Sequence, residues 1–229
     1  MSLILAIETS ADLASTALLR GDQVLCRESA GVQTHSQSIL PLVQELLADA
    51  GTSLKHCHAI AFGCGPGSFT GVRTACGIVQ GLAFGAGLPV LPIVTLMAMA
   101  QACRNASGAS DVLSVIDARM GEVYWAQYRF DDGWQVVVEP TLSSAALVAA
   151  QGDVVACGNG LLAYADAFSG RAFFHHAQTH IVPHAIDVAQ LGRSAFDAGE
   201  AIAARDAQPL YLRNKVALTT AERLAKAVA

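Results

Sequence analysis

Charge is scarce in this chain. Asp, Glu, Lys and Arg make up 14% of its 229 residues, against about 25% in an ordinary soluble domain. Aromatic residues are scarce too, at 6%. There is no basic stripe: the Lys and Arg are spread singly, Arg213 and Lys215 being the closest group, and the formal net charge is −5. That excludes a chain that grips nucleic acid unaided. No two of the six cysteines form a Cys-x-x-Cys pair, so neither a zinc ribbon nor a dithiol redox site is expected, only reduced, buried thiols. No apolar stretch reaches about 18 residues without Gly, Gln or Pro, which argues against a transmembrane helix. Met1-Ser2-Leu3-Ile4-Leu5 lacks the basic region of a signal peptide. A cytoplasmic location with no membrane contact is the expectation. Two catalytic signatures are also missing. The glycine-rich segment near residue 65 has no following Gly-Lys-Ser/Thr, and no Gly-x-Ser-x-Gly elbow occurs.

What is abundant is apolar surface, at 53% of residues. This is too apolar for a disordered chain, and the length suits one large domain or two modest ones. With so few charges, part of the apolar excess is expected to face another chain.

The chain opens as a β-meander. Leu3-Ile4-Leu5-Ala6-Ile7 is a continuous apolar run, as a strand covered on both faces requires. Ser15–Leu19 and Gln23–Ser29 follow as strands around a Gly21-Asp22 turn. A helix is predicted from about His35 to Ala50, with Pro41 in its first turn or at a kink. A strand from His58 to Gly63 leads through a glycine loop into a helix from Val72 to Phe84. A strand over 88–94 and a helix from Thr95 to Arg104, N-capped by Thr95, come next. Asn105–Ser110 reads as a linker, dividing the chain into lobes at 1–105 and 106–229. Beyond it lie strands at Val112–Ile116, Glu122–Phe130, Gln135–Glu139 and Val154–Cys157. Helices are expected near Ser143–Ala150, Leu161–Phe168 and Ile186–Ala204. Two α/β lobes, each starting with antiparallel strands, fit this order better than one doubly wound sheet.

Gly65-Pro66-Gly67-Ser68-Phe69-Thr70-Gly71 is the sharpest local signal. It joins a strand to a helix, whose N-terminal N–H groups could receive an anion; a tight turn explains it better. Arg73 in the first turn opposes the helix dipole and points to an anionic partner. Glu8, Thr9, Ser10 and Asp12 cluster on the first hairpin, where a carboxylate could hold Mg²⁺ through water or simply form a polar tip. His176, His180 and His184 recur every four residues, but Pro183 interrupts them and no carboxylate or Cys lies close by. His56 and His58 flank Cys57. Polar loops explain both sets better than a metal site. Asp117, Arg119 and Glu122 around Gly121 read as a charged turn.

Five blocks together resemble the TsaB (YeaZ) family. They are Ile4–Ser10, His35-Ser36 with Leu40-Pro41, Gly65–Arg73, Ile116–Tyr124 and Pro209–Arg213. The resemblance runs from residue 3 to about 217. It implies the two-lobed actin/sugar-kinase/Hsp70-like (ribonuclease H-like) α/β fold, with a mixed sheet in each lobe flanked by helices. It also implies a non-catalytic subunit for making N6-threonylcarbamoyladenosine at position 37 of tRNA. That subunit supports the catalytic relative TsaD together with the ATPase TsaE, and tRNA is met only through the complex. In TsaD, the resemblance places a His-x-x-x-His metal pair where this chain has Thr95 and Met99. A hydroxyl and a thioether are poor replacements, so no metal site and no catalytic residue are expected. Glu8 stands where TsaB more usually has Asp. Glu8, Thr9, Ser10, Gly65, Gly67 and Ser68 remain the candidates for cofactor contact, with no cofactor held tightly and nucleotide bound only weakly or in the complex. The family pairs through helices of the first lobe. That assigns partner contact to Ile39, Val43 and Leu46 on one helix and to Val72, Cys76, Val79 and Leu82 on the next, although one apolar stripe per helix is needed for the chain's own core. The same surface predicts a homodimer when the chain is alone. The rival functions are a small-molecule phosphotransferase of the kinase-like group and a metallopeptidase-like protein.

Overall fold

The structure is a computed structural model that describes residues 2–29 and 35–213. Lys215 and the tail after Val216 lie outside the described residues. Two sheets form the framework. The first contains β1 (Leu3–Glu8), β2 (Ala14–Arg20), β3 (Gln23–Ser29), β4 (Ala59–Gly65) and β5 (Val90–Val94) in the order β3-β2-β1-β4-β5. The second contains β6 (Asp111–Arg119), β7 (Glu122–Phe130), β8 (Trp134–Ser144) and β9 (Val155–Cys157) in the order β8-β7-β6-β9. Each sheet starts as an antiparallel meander and adds parallel strands on its other side. The mixed two-sheet α/β fold expected above is therefore the fold observed.

Strand alternation explains how the helices are placed. On β1, Leu3, Leu5 and Ile7 turn to one face, and Ile4 and Ala6 to the other. The first face packs against α1 (His35–Asp49) and α2 (Phe69–Ala86) through Ile39, Val43, Leu46, Ala75, Cys76 and Val79. α3 (Thr95–Ser107) sits between the sheets: Leu96, Met99, Ala100 and Cys103 pack on Val112, Ile116 and Tyr128 of the second sheet. The far face of that sheet is covered by α4 (Asn159–Ala163) and α5 (Ala165–Phe168).

The last α-helix among the described residues is α6 (Ala185–Asp197). It returns to the first sheet, where Ala185, Val188, Ala189 and Leu191 meet Ile4, Ala6, Ala61 and Leu91. Gly192 makes this close approach possible, because a Cβ there would lie 2.6 Å from that of Ala61. Ile202 then bridges β5. Within residues expected in the second lobe, α6 and Ile202 therefore pack with the first sheet. The predicted linker is also shorter, since α3 continues to Ser107 and ends on Gly108 in a left-handed cap. The helix expected at Ser143–Ala150 is the end of β8 and a short 3-10 turn. The helix expected at Leu161–Phe168 is split into α4 and α5 at Tyr164. Pro41 lies in the second turn of α1, not the first.

The assigned partner residues lie mostly within the chain's own core. Ile39, Val43, Leu46, Val72, Cys76 and Val79 are all at most 5% exposed, inside the chain's own core, and only Leu82 is half-buried. The apolar period marks the stripe that the helix's own sheet requires. The outward stripe of α2 instead carries Gly77, Gly81 and Phe84, the last 85% exposed.

Among the described residues no helix is long and apolar enough to cross a membrane. The six cysteines are free thiols, and all but Cys26 are buried. Burial pushes Cys57 up to about 11 and Cys64 up to about 12, so both stay protonated.

Asp187 joins α6 to α3. Asn105 Nδ2 donates to its Oδ1 at 3.0 Å, and burial pushes its carboxyl up from 3.8 to about 7. A carboxyl whose folded pKa is raised favours the fold when protonated. Stability should therefore fall as pH rises from about 4 to about 7, by up to about 4 kcal/mol for a shift of this size. Asp187→Asn keeps an acceptor for Asn105 and has no charge to bury. Its unfolding free energy should exceed that of the parent at pH 8 and match it at pH 4, as read from urea titrations.

Candidate functional site

Four of the five blocks singled out in the sequence contribute walls to one place, a cleft of about 480 Å³ between the two sheets. One wall is the β1–β2 hairpin tip with the loop before α2: Ser10 to Leu13 and Pro66 to Phe69. The other is the β6–β7 turn, Ile116 to Arg119, with Tyr124 and Asn159. Met99 and Val72 line it from α3 and α2, and Ile181 to Pro183 from the segment before α6. The segment Leu210–Arg213 crosses it.

The first wall is held by backbone contacts. Ser68 N donates to Ser10 O at 2.8 Å, and Thr9 Oγ1 donates to Gly71 O at 2.7 Å. Ser68 caps α2 by accepting from Gly71 N. Glycine is needed at 67 and 71 for space: a Cβ would lie 2.7 Å from Ser10 O at the first and 1.9 Å from Thr9 O at the second. The His35 ring lies 3.1 Å from Thr9 O and 3.2 Å from Asp12 O, so the second block braces the same tip.

The predicted cofactor contacts divide. Ser10, Gly67 and Ser68 border the cleft. Glu8, Thr9 and Gly65 do not. Glu8 is fully buried; its Oε1 accepts from Ser10 N at 2.5 Å and its Oε2 has no partner. Desolvation raises its pKa, so this carboxyl favours the neutral form. It lies beneath Gly63, where a Cβ would come within 1.8 Å of Oε2. A carboxyl whose charged form burial disfavours, and which is roofed over, does not fit the Mg²⁺ role considered for it. Thr9 is committed to Gly71, and Gly65 faces Leu210 O. Arg73 has a local explanation as well, lying 3.2 Å above the Phe69 ring and 4.8 Å from that of Tyr211.

The second wall was underestimated as a charged turn. Arg119 and Met120 have φ of 63° and 58°, left-handed values that cost about 1–3 kcal/mol each in a residue with a side chain. Side chains hold them there. Asp117 Oδ1 accepts from Arg119 N at 2.7 Å and from Tyr164 OH at 3.0 Å. Arg213 donates to Ala118 O at 3.1 Å and to Glu122 Oε2 at 2.6 Å. Leu210 N donates to Cys64 O at 2.7 Å. The strap is thus anchored to the first sheet at Leu210 and to the second at Arg213. No local pattern shows this, because the partners lie more than ninety positions apart.

His176, His180 and His184 do not converge on a metal site: among the described residues no group of three His, Cys, Asp or Glu could hold a metal ion. His184 caps α6, accepting from Ile186 N at 3.1 Å, and meets Glu28 at 3.2 Å. Thr95 follows the N-cap, Val94, and accepts from Gly65 N at 3.1 Å. Met99 is buried at 1% exposure.

A family model described as TsaD, tRNA N6-adenosine threonylcarbamoyltransferase, matches residues 27–190. The chain is 40% identical to the tRNA threonylcarbamoyladenosine biosynthesis protein TsaB of Escherichia coli (strain K12), over 93% of this chain and 96% of that protein. This chain belongs to the TsaB (YeaZ) family. TsaB of Haemophilus influenzae is also 40% identical, over 93% of this chain and 94% of its own. The solved structure of YeaZ from Pseudomonas aeruginosa matches with a TM-score of 0.86 at 38% identity, covering 93% of this chain and all of that one.

Two stability outcomes test this site. Gly71→Ala should gain up to about 1 kcal/mol from helix propensity, yet the clash with Thr9 O should leave it destabilised by about 2–3 kcal/mol in denaturant titrations. Arg213→Ala, which leaves Glu122 and Ala118 O without their donor, should lose about 1–3 kcal/mol, and Glu122→Gln, which keeps an acceptor, should lose less.

Proposed function

We propose that this chain is the non-catalytic partner subunit for N6-threonylcarbamoyladenosine formation at position 37 of tRNA. It binds and supports the catalytic relative TsaD, with the ATPase TsaE, in the cytoplasm. The observation that carries this reading is near full-length similarity to TsaB proteins; the family resemblance adds Thr95 and Met99 where it sets the TsaD histidine pair. Both residues are spent on structure, Thr95 on the Gly65 backbone and Met99 on the core.

Partner contact belongs on the outer faces of α1 and α2. There Gly77, Gly81 and Gly85 have open space above them, Phe84 is 85% exposed and Leu40 42%. Glycines at four-residue spacing let a second helix approach closely, and Phe84 supplies an apolar anchor of the kind that dominates interfaces. The same face would serve a homodimer when the chain is alone, a symmetric use of one patch. The tRNA is held by the complex, in keeping with the net charge of −5.

Phe84→Glu should leave the melting temperature nearly unchanged, since the side chain is exposed. It should weaken capture of TsaD by about a hundredfold, as loss of a buried aromatic anchor does. Leu162→Glu, at a 68% exposed position on α4, is the control. Equal co-purification of TsaD by the parent and by Phe84→Glu would refute the assigned face. No binding of TsaD by the parent chain would refute the function.

A further inference from the structure

Two thiols that lie more than fifty positions apart in sequence meet in the core. Cys103 on α3 and Cys157 at the end of β9 belong to one apolar cluster, and both are fully buried. Their side chains are in hydrogen-bond contact. Cys157 Sγ also donates to Met99 O at 3.8 Å, and Met99 lies one helical turn before Cys103 on the same face of α3. Ser114 Oγ lies 3.7 Å from Cys157 Sγ. The two sulfurs differ in proton affinity. The hydrogen bond from Cys157, aided by one from Ser107, holds Cys103 below the usual thiol value against the effect of burial. Cys157, which donates to Cys103 and is buried, is pushed well above it. Burial pushes Cys57, Cys64 and Cys76 up as well, so none of these is a ready thiolate. One thiol inclined to ionise beside another that keeps its proton is the arrangement of an attacking and a resolving cysteine. Met99 also supplies the route of access. It lines the cleft, and its terminal methyl lies at Gly158, next to Cys157: a Cβ there would be 2.6 Å from Met99 Cε. An unbranched, flexible side chain thus stands between the cleft and the pair.

We propose that Cys103 and Cys157 form an oxidisable pair, which hydrogen peroxide converts to a disulfide joining α3 to β9. The Cys103 thiolate attacks one peroxide oxygen and the O–O bond breaks. Hydroxide leaves and takes up the proton that Cys103 released. The sulfur of Cys157 then attacks the Cys103 sulfenic acid; the S–O bond breaks, and the oxygen leaves as water with the Cys157 proton. Two thiols and one peroxide give one disulfide and two waters. A soft metal ion suits the pair less well. Among the described residues no third His, Cys, Asp or Glu joins it. Two thiolates around a monovalent ion would also leave a net charge in an apolar cluster, whereas a disulfide is neutral. The product pins α3, which lies between the sheets, to the parallel edge of the second sheet. A thiol reductant reverses it. This pair is independent of the partner face on α1 and α2, and it stands or falls separately from the function proposed above.

The test uses the full chain carrying Cys26→Ser, which removes the one cysteine that is not buried. The folded chain is treated with hydrogen peroxide, then denatured, alkylated and mapped by mass spectrometry. The map should show one disulfide, Cys103–Cys157, with the other cysteines alkylated. The melting temperature should rise by about 5–10 °C, as a disulfide of ordinary strength gives in a chain of this size, and should return on adding dithiothreitol. In Cys157→Ala the reaction should stop at the sulfenic acid, captured on Cys103 by dimedone. In Cys103→Ala, Cys157 should stay reduced. Three results would overturn the proposal: both thiols alkylated after peroxide treatment, a disulfide between any other two cysteines, or a dimedone adduct on Cys157 in Cys103→Ala. The map of the Cys26→Ser chain needs no change in the core, so it decides the proposal even where an alanine variant fails to fold.

Discussion

The cleft depends on one close approach: the β1–β2 hairpin tip lies directly on the first turn of α2, backbone against backbone. Ser68 N reaches Ser10 O, Thr9 Oγ1 reaches Gly71 O, and no side chain fits at 67 or 71. Everything else at the site is referred to this contact. It places the α2 N-terminus at the cavity and puts Ser10 on its wall. It also buries Glu8 beneath Gly63, which removes that carboxyl from solvent and from metal chemistry. His35 braces the same tip from α1.

The strap from Leu210 to Arg213 is the complementary element on the opposite side. It is bonded to β4 at one end and to the β6–β7 turn at the other, so it ties the two sheets together. The left-handed Arg119 and Met120 are tolerated because Asp117, Tyr164 and Arg213 determine their positions from several sides. A fold with both faces of each sheet covered also accounts for much of the apolar excess, since four separate apolar clusters must be filled.

The fold was legible in the sequence where period and length were unambiguous. The uninterrupted run Leu3–Ile7 is the central, fully buried β1, and the glycine loop does join a strand to a helix. Element ends were less legible: Asn105 to Ser107 carry small, polar residues that read as a linker, yet they extend α3. The return of α6 to the first sheet was not legible, because amphipathic periodicity tells which face is buried but not against what. The same limit applies to the residues assigned to partner contact. Ile39, Val43, Leu46, Val72, Cys76 and Val79 form the most apolar stripe, and that stripe belongs to the core; the outward stripe of α2, rich in glycine, carries little hydrophobic signal. The cleft itself was half legible. Its first wall is one contiguous motif, whereas its second wall and strap are brought together only by tertiary structure.

The central claim is that this chain supports tRNA modification without performing it. The direct measurement is reconstitution with TsaD, TsaE, threonylcarbamoyl-AMP and unmodified tRNA, with and without this chain, reading N6-threonylcarbamoyladenosine by mass spectrometry. The account predicts modification only when the chain is added, and none from the chain acting without TsaD. Full modification in its absence, or modification by this chain without TsaD, would contradict it.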